Sequence, residues 1–297
     1  MTPRVRPDLA RLADMLGRPP LTRFAPSPTG YMHLGHVVNA MYVWGLARAL
    51  GGRVRLRMED HDRTRCRPVF DAAILDDLVW LGFEADEGHV PVDRQSDAGR
   101  AYGDALARLA ATSTVYRCRC SRRDIGSHRY DGRCRALGLP DTAGLGTRVV
   151  LGPGEERAHD GLLGPLVQTP DAQCGDLLVR DRHGQWTYQF AVTVDDLRQQ
   201  ITLVVRGADL ASSTGRQVRL ARLLGRGTAP IFVHHPLLTG PHGKKLSKRL
   251  GDAGIAELRE AGYTPARVIG LAAAEVGLQA EPQPLAAGEV ARLFTDP

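Results

Sequence analysis

The stretch "RFAPSPTGYMHLGH", residues 23–36, has the pattern of a short strand joined to a helix through a turn rich in proline and glycine. "LTRFAP" has the pattern of a strand, and "HVVNAMYVWGLARAL" carries apolar residues at helical spacing before it stops at Gly51 and Gly52. "RVRLRMED" then alternates like a strand, and "FDAAILDDLVWLGF" returns to helical spacing. Strand, helix, strand, helix within about 60 residues predicts an α/β fold built on a doubly wound parallel sheet.

The composition is that of an ordinary globular protein, with 43% hydrophobic and 24% charged residues in a chain of 297. A net charge of +6 favours a polyanionic partner only weakly, because an arginine-rich composition also arises from a GC-rich genome. The sequence has no run of about 18 apolar residues, and its opening lacks the apolar core of a secretory signal. We therefore expect a cytoplasmic protein without a membrane partner.

The regular alternation is lost between about residues 112 and 186 and resumes in "TYQFAVTVDDLRQQITLVVRGADL". The interrupted region is predicted to be an insertion with a small α+β fold of its own. The residues after the resumed α/β pattern are mostly of helical type, with a start at Thr264-Pro265. The predicted division is a Rossmann-type catalytic domain over 1–111, the insertion over 112–186, the second catalytic half over 187–250 and a short helical segment over 251–297.

The cysteines are odd in number and accompany no export signal, which favours metal binding or free thiols over a disulfide framework. Cys118, Cys120 and Cys134 fall within "YRCRCSRRDIGSHRYDGRC", a spacing that suits tetrahedral zinc. His128 in the same stretch is an ordinary zinc ligand. Reduced cysteines without metal are the alternative, and Cys66 and Cys174 are expected to be structural thiols.

His33 and His36 lie three residues apart and would project from one face of the first helical turn. Gly35 between them would let a ligand approach the backbone. Because helix N-termini favour anions, a polyphosphate is the natural ligand. Packing or capping by the two histidines is the alternative.

A second stretch, "GPHGKKLSKR" at residues 240–249, does not fit the Walker pattern, because only two residues separate its glycines. Lys245, Ser247 and Lys248 instead predict a basic loop that grips phosphates with point charges. A solvated basic loop without a ligand is the alternative.

Together the two stretches resemble the paired His-x-Gly-His and Lys-Met-Ser-Lys-Ser signatures of class I aminoacyl-tRNA synthetases. "TRFAPSPTGYMHLGH", "LRMEDHDRTR", "TYQFAVTVDD" and "LVVRGADL" resemble the glutamyl subgroup, and the resemblance covers most of residues 21–250. It implies a ligase in which ATP, commonly with Mg²⁺, reacts with an amino acid by positioning and electrostatic stabilisation. The implied catalytic residues are His33, His36 and Lys248, and the implied ATP-binding residues are His33, Gly35, His36, Lys245, Ser247 and Lys248.

The resemblance also implies a pocket for L-glutamate. Two arginines would each hold a carboxylate, and Glu59 would pair with the ammonium group. Which arginine binds the side-chain carboxylate stays open. The alternatives are that the arginines are solvated on the surface and that Glu59 caps a helix. The implied glutamate-binding residues are Arg23, Phe24, Ala25, Pro26, Ser27, Glu59, Tyr188 and Arg206.

In the insertion, the resemblance adds Tyr130 to Cys118, Cys120 and Cys134 as the ligands of one structural zinc ion. From the residues alone, Tyr130 and His128 both remain open as the fourth ligand.

Only 48 residues follow Arg249, fewer than an anticodon-reading domain needs. The short stretch after Arg249, the cysteines and "YDGRC" give the sequence a resemblance to the glutamyl-queuosine tRNA(Asp) synthetases. Those enzymes activate glutamate without tRNA and attach it to queuosine in the anticodon loop of tRNA(Asp). We expect a monomer whose partner is that stem-loop. The alternatives are a truncated glutamyl-tRNA synthetase and a non-catalytic RNA-binding paralogue. Candidate phosphate contacts are Arg117, Arg119, Arg122, Arg123 and Arg129.

Overall fold

A computed structural model describes residues 5–126, 129–238 and 254–295. The helices are α1 Leu9–Leu16, α2 Leu34–Ala49, α3 Pro68–Leu81, α4 Gly99–Thr112, α5 Arg122–Ile125, α6 Pro170–Cys174, α7 Tyr188–Arg198, α8 Thr214–Leu223, α9 Ile255–Glu260, α10 Pro265–Glu275 and α11 Arg292–Thr295. The strands are β1 Leu21–Phe24, β2 Arg53–Met58, β3 Asp93–Arg94, β4 Val115–Cys118, β5 Gly146–Val149, β6 Glu156–Asp160, β7 Gly164–Gln168, β8 Leu177–Arg180, β9 Leu203–Gly207 and β10 Ile231–His235.

The catalytic part contains two strand groups, ordered β1-β2-β3 and β7-β6-β10-β9. Pairing is parallel from β1 through β3 and from β9 through β10 to β6, and β6 and β7 form an antiparallel hairpin. The two groups are joined by a pair of hydrogen bonds. The Thr202 backbone N–H donates to the Leu21 carbonyl, and the Leu21 N–H donates to the Thr202 hydroxyl. The α/β class is confirmed, and the sheets are mixed rather than wholly parallel.

Helix α2 is the central helix of the main core and is buried on almost every side. It contacts β1, β2 and β9 on one side and α10 and α11 on the other. Gly45 makes this contact possible, because a Cβ there would lie 2.3 Å from the Phe294 ring. The predicted stop of the helix is confirmed, since the chain turns at Gly51 with a φ of +64°.

The insertion has an antiparallel sheet of its own, ordered β4-β5-β8. A second core lies between this sheet and helices α4, α7 and α8, and joins the insertion to the catalytic part. The β6–β7 hairpin lies within the range 112–186 that the sequence assigns to the insertion. By its hydrogen bonds to β10, however, it extends the catalytic sheet.

The predicted helical character of the C-terminal segment is confirmed. Thr264 caps α10 by accepting the Arg267 N–H at 3.3 Å, and Pro265 is the first helical residue. Helices α10 and α11 pack on α2, so this segment supports the catalytic part. Among the helices that the structure describes, none combines the length and apolar character needed to cross a bilayer.

Candidate active site

The candidate site lies where β1, β2 and β9 end. Arg23 is on β1, Glu59 directly follows β2, and Arg206 is the penultimate residue of β9. The Arg23 side chain crosses from β1 to the Val205 carbonyl on β9, at 3.2 Å. Because ligands of parallel α/β sheets bind beyond the carboxyl ends of the strands, this is the expected location.

His33 and His36 cap the first turn of α2 with their side chains. The Nδ1 atom of His33 accepts the Gly35 N–H, and Nδ1 of His36 accepts the His33 N–H, both at 3.1 Å. A ring nitrogen that accepts carries no hydrogen, so each neutral ring has its N–H at Nε2. The capping alternative is therefore observed, and it gives both imidazoles the tautomer with an Nε2 donor.

Burial and the neighbouring His33 lower the pKa of His36 to about 4, so His36 is neutral at pH 7. The two rings lie 4.1 Å apart between centroids. Gly35 is needed because a Cβ there would come within 2.9 Å of the His33 ring. The motif thus presents imidazole N–H donors at a helix N-terminus, a position that favours anions.

The basic loop with Lys245, Ser247 and Lys248 lies outside the described residues. The chain that follows it returns to the histidine motif, because Gly254 pairs with His33 and the Ile255 N–H donates to the Met32 carbonyl at 2.9 Å.

Arg57 is the centre of a buried ion-pair network beneath the site. Its guanidinium donates to Asp196 at 2.8 Å and to Glu59 at 3.0 Å. Asp196 also accepts from Arg23 Nε at 3.1 Å. Although burial acts to lower it, Asp196 and Glu59 hold the pKa of Arg57 above its usual value. The network therefore fixes Arg23 and Glu59, two of the predicted glutamate-binding residues.

Arg206 is also buried, but its three hydrogen-bond partners are neutral. They are Nε2 of His234 at 3.0 Å, the Gln217 amide oxygen at 2.6 Å and the Thr214 hydroxyl at 3.0 Å. His234 is held in turn by Asp160, 2.5 Å from Nδ1. Within the described part of the chain, Arg206 forms no ion pair, and burial lowers its pKa. A buried cation without an anionic partner is unfavourable, so this guanidinium is suited to bind an anion.

Tyr188, the first residue of α7, joins these two groups. Burial and then the Glu59 carboxylate raise the pKa of its phenol, whereas Arg206 and Arg23 act to lower it. Arg23, Glu59, Tyr188 and Arg206 thus lie within electrostatic reach of one another, as one pocket requires.

The other predicted glutamate contacts differ in what they can offer. The Phe24 ring packs against Trp44 at 5.2 Å in the core, so only its backbone can serve a ligand. The Pro26 carbonyl accepts the Glu59 N–H at 2.8 Å and thereby joins the ends of β1 and β2. Ala25 and Ser27 are partly exposed beside it.

An open cleft of about 1000 Å³ lies beside Tyr188, between the catalytic part and the insertion. Arg65 enters from the loop after β2, Arg123 from the insertion and Arg182 from the turn after β8. The cleft opens onto Tyr188, and its lining also contains Asp181 and Asp62, which pairs with Arg65 at 2.7 Å.

The three cysteines of the predicted metal site lie close together in the insertion. The sulfur atoms of Cys118, Cys120 and Cys134 all lie within 4.8 Å of one another, with Cys120 and Cys134 at 3.5 Å. A tetrahedral zinc ion with thiolate bonds of about 2.3 Å needs sulfur atoms about 3.8 Å apart. The Tyr130 hydroxyl lies 3.4 Å from the Cys118 sulfur, and His128 lies outside the described residues. The three thiols and the phenol fit a zinc ion.

The predicted phosphate contacts fall into different environments. Arg117 is bound to Thr147 and two carbonyls, and Arg129 pairs with Asp171, so both side chains already bind protein groups. Arg119 and Arg123 are exposed, and the Arg122 side chain lies outside the described residues.

Comparison with known proteins places these features in a family. Residues 21–139 and 153–286 match the class I tRNA synthetase (E and Q) catalytic domain. The chain is 39% identical to glutamyl-Q tRNA(Asp) synthetase of Symbiobacterium thermophilum, over 92% of this chain and 91% of that protein. It belongs to the class I glutamyl and glutaminyl tRNA synthetase family. The predicted resemblance is thereby confirmed, and the protein is an enzyme of the synthetase class.

Other relatives support the same membership. Glutamyl-Q tRNA(Asp) synthetase of Geobacter sulfurreducens is 43% identical over 82% of this chain and 79% of its own length. Glutamate–tRNA ligase 1 of Acidithiobacillus ferrooxidans is 38% identical over 82% of this chain, which spans 54% of that ligase. The crystal structure of a glutamate tRNA ligase from Elizabethkingia meningosepticum with its amino acid has a TM-score of 0.78 and 26% identity, covering 93% of this chain and 65% of the ligase.

Sequence reasoning missed the residues that hold the pocket in place, namely Arg57, Asp160, Asp196 and His234. Two signals were available. Arg57 is the arginine of "RMED" before Glu59, and charged side chains at the end of a buried strand require partners. Asp196 belongs to "VDD", where acidic residues interrupt an apolar helix face.

Proposed function

We propose that the protein activates L-glutamate with ATP in the absence of tRNA and transfers it to the queuosine base in the anticodon loop of tRNA(Asp). The observation that carries glutamate binding is Arg206, a buried guanidinium whose described hydrogen-bond partners are all neutral. A glutamate carboxylate would supply the missing negative charge. Relatives named glutamyl-Q tRNA(Asp) synthetase, which this chain matches over most of its length, support the acceptor.

In the proposed pocket, Arg206 and Tyr188 bind one carboxylate of glutamate, and Glu59 pairs with the ammonium group. Glu59 can do so because Arg57 is hydrogen-bonded to only one of its oxygens. Arg23, held by Asp196, is the second cationic contact. The backbones of Phe24, Ala25 and Pro26 and the hydroxyl of Ser27 line the remaining side.

Activation then joins the glutamate α-carboxylate to the α-phosphorus of ATP and releases pyrophosphate. The Nε2 donors of His33 and His36 stabilise charge on the phosphates in the transition state, and Gly35 keeps the turn open. Lys248, with Lys245 and Ser247, is assigned to the departing pyrophosphate. Mg²⁺ is expected to accompany ATP as a charge-neutralising ion.

The insertion is proposed to hold one structural zinc ion through Cys118, Cys120, Cys134 and Tyr130. Such an ion contributes folding free energy rather than chemistry. It would fix the end of β4 and the α5 region beside the cleft. The positive net charge and the cleft arginines would bind the phosphates of an RNA stem-loop, whose extruded base would reach the pocket.

The test combines two measurements. Glutamate-dependent exchange of pyrophosphate into ATP, without tRNA, separates an enzyme from an RNA-binding paralogue. Labelled glutamate is then offered to tRNA(Asp) carrying either queuosine or guanine at the same position. We expect label only on the queuosine-bearing tRNA, and we expect it to remain after the 3′ end is trimmed.

Three results would contradict parts of this proposal. Absence of exchange would reject glutamate activation. Equal labelling of the guanine-bearing tRNA would reject the queuosine acceptor. Loss of all label with the trimmed 3′ end would identify a truncated glutamyl-tRNA synthetase.

A further inference from the structure

His61 occupies the boundary between the glutamate pocket and the cleft. It lies two residues after Glu59 and lines the cleft together with Tyr188. The His61 and Tyr188 rings are 6.4 Å apart between centroids. A group that enters through the cleft to reach bound glutamate therefore passes this imidazole.

The orientation of His61 is set from the core by Asp195. This buried carboxylate accepts from the Tyr102 hydroxyl and the Gln95 amide, each at 2.8 Å, and from Arg198 at 2.8 Å. A carboxylate that receives these donors requires the NH₂ side of the Gln95 amide to face it. The amide oxygen of Gln95 therefore faces His61, 2.6 Å from Nδ1.

This arrangement determines the tautomer of His61. The Gln95 amide oxygen can only accept, so the hydrogen of the neutral imidazole is on Nδ1. The Nε2 lone pair is left available, because the side chain makes no other hydrogen bond to the residues that the structure describes. An imidazole held by a buried carboxamide and carboxylate, with a free basic nitrogen at a cleft, is suited to accept a proton.

We propose that His61 is the general base of the transfer step, with Gln95 and Asp195 as its positioning residues. This role rests on the proposed function. The acceptor hydroxyl oxygen attacks the glutamyl-adenylate carbonyl carbon, and an ester C–O bond forms. The anhydride C–O bond to the phosphate breaks, and AMP leaves with the electron pair. The hydroxyl proton moves to Nε2 of His61 and from there to solvent.

The two half-reactions should depend on His61 to different extents. In activation the nucleophile is the glutamate carboxylate, which is already deprotonated at pH 7 and needs no base. In transfer the nucleophile is a hydroxyl, which gains from proton removal in the transition state. General base catalysis typically contributes about 10²–10⁴ in rate. Loss of His61 should therefore separate transfer from activation.

The experiment measures both steps in the same preparations of full-length protein. Preformed enzyme-bound glutamyl-adenylate is mixed with saturating queuosine-bearing tRNA(Asp), and the single-turnover rate is compared with pyrophosphate exchange. For His61→Ala we expect transfer to fall at least about 100-fold and exchange to fall less than about threefold. Added imidazole should restore part of the transfer rate of this variant.

Two further variants isolate the base from structural effects. His61→Asn can donate to the Gln95 amide oxygen but has no basic nitrogen, so it should transfer as slowly as His61→Ala. His183→Ala removes a histidine that lines the same cleft without the Gln95 contact, and it should not show rescue by imidazole.

The outcomes separate this role from the proposed function. Transfer by His61→Ala or His61→Asn at the wild-type rate would overturn the role of His61 alone. An equal loss of exchange and transfer would show that His61 serves the pocket rather than the second step, and would also overturn it. Absence of transfer by the wild-type protein would reject the proposed acceptor, and this role with it.

Discussion

Arg57 and Arg206 are both buried in the candidate site, yet replacement by methionine should strongly destabilise the protein only at Arg57. Arg57 is 0% exposed and faces the carboxylates of Glu59 and Asp196, with Asp195 3.8 Å away. Arg206 is 4% exposed and, among the described residues, has only neutral hydrogen-bond partners. Methionine keeps an unbranched apolar stem in both cases, so the difference reports charge pairing.

The magnitudes follow from those partners. Arg57→Met leaves buried carboxylates without compensation, and breaking a buried ion pair in this way costs about 3–5 kcal/mol. Arg206→Met leaves chiefly the Gln217 amide oxygen unsatisfied, which costs about 1–3 kcal/mol, because Thr214 and His234 still contact each other at 3.3 Å. It also removes an unpaired buried cation whose desolvation costs several kcal/mol. The ligand-free Arg206→Met protein should therefore be within about 1 kcal/mol of wild type or more stable.

The assay is urea unfolding at pH 7, with and without glutamate. Arg57→Met should lose about 3–5 kcal/mol without ligand. Glutamate at about 100 times its dissociation constant should add about 2.7 kcal/mol to the wild-type protein and close to nothing to Arg206→Met. Arg292→Met, which removes an exposed arginine paired with Glu289, is the surface control and should change stability by less than about 1 kcal/mol.

Two results would show that Arg206 does not bind glutamate in this way. If Arg206→Met destabilised the ligand-free protein as much as Arg57→Met does, Arg206 would be a structural residue whose charge is already satisfied. Undiminished stabilisation of Arg206→Met by glutamate would equally remove Arg206 from the pocket.

His36→Ala should lower glutamate-dependent pyrophosphate exchange about 10²–10³-fold, since it removes a transition-state donor, and near-normal exchange by the folded variant would contradict this. Purified protein should contain about one zinc ion per chain, and Cys134→Ser should lose the ion to a chelator faster than the wild-type protein does. Elemental analysis that finds no zinc would contradict the site. A full zinc content in Tyr130→Phe would exclude Tyr130 as a ligand. Burial lowers the pKa of His235 to about 4, so the unfolded chain takes up a proton at this residue before the folded chain does. The free energy of unfolding should therefore decrease as pH falls from about 6.5 towards 4, by up to about 1.4 kcal/mol per pH unit. His235→Gln should make this pH dependence less steep, and an unchanged pH dependence would contradict the prediction.

Much of the fold was predictable because it follows from local patterns. The alternation of strand and helix, the stop at Gly51 and the start at Thr264-Pro265 each depend on residues close together in the chain. The β6–β7 hairpin was not predictable in this way. Its membership of the catalytic sheet depends on pairing with β10, more than 60 residues later, and strand partners at such separations leave no local signal.

The candidate site also combines features that are local in the sequence with features that depend on distant residues. The histidine motif, the grouped cysteines and the arginines near the ends of β1 and β9 could be read from the sequence alone. Motifs and periodicity are properties of neighbouring residues. The folded structure was needed to show that Arg57 is compensated by carboxylates whereas Arg206 faces neutral groups. It was also needed to show that Asp195 acts through Gln95 to set the tautomer of His61. These differences depend on burial and on atoms a few ångströms apart that come from distant parts of the chain. The surroundings set how strongly a charged side chain is stabilised and which nitrogen of an imidazole carries the hydrogen. A local sequence pattern contains no information about those surroundings.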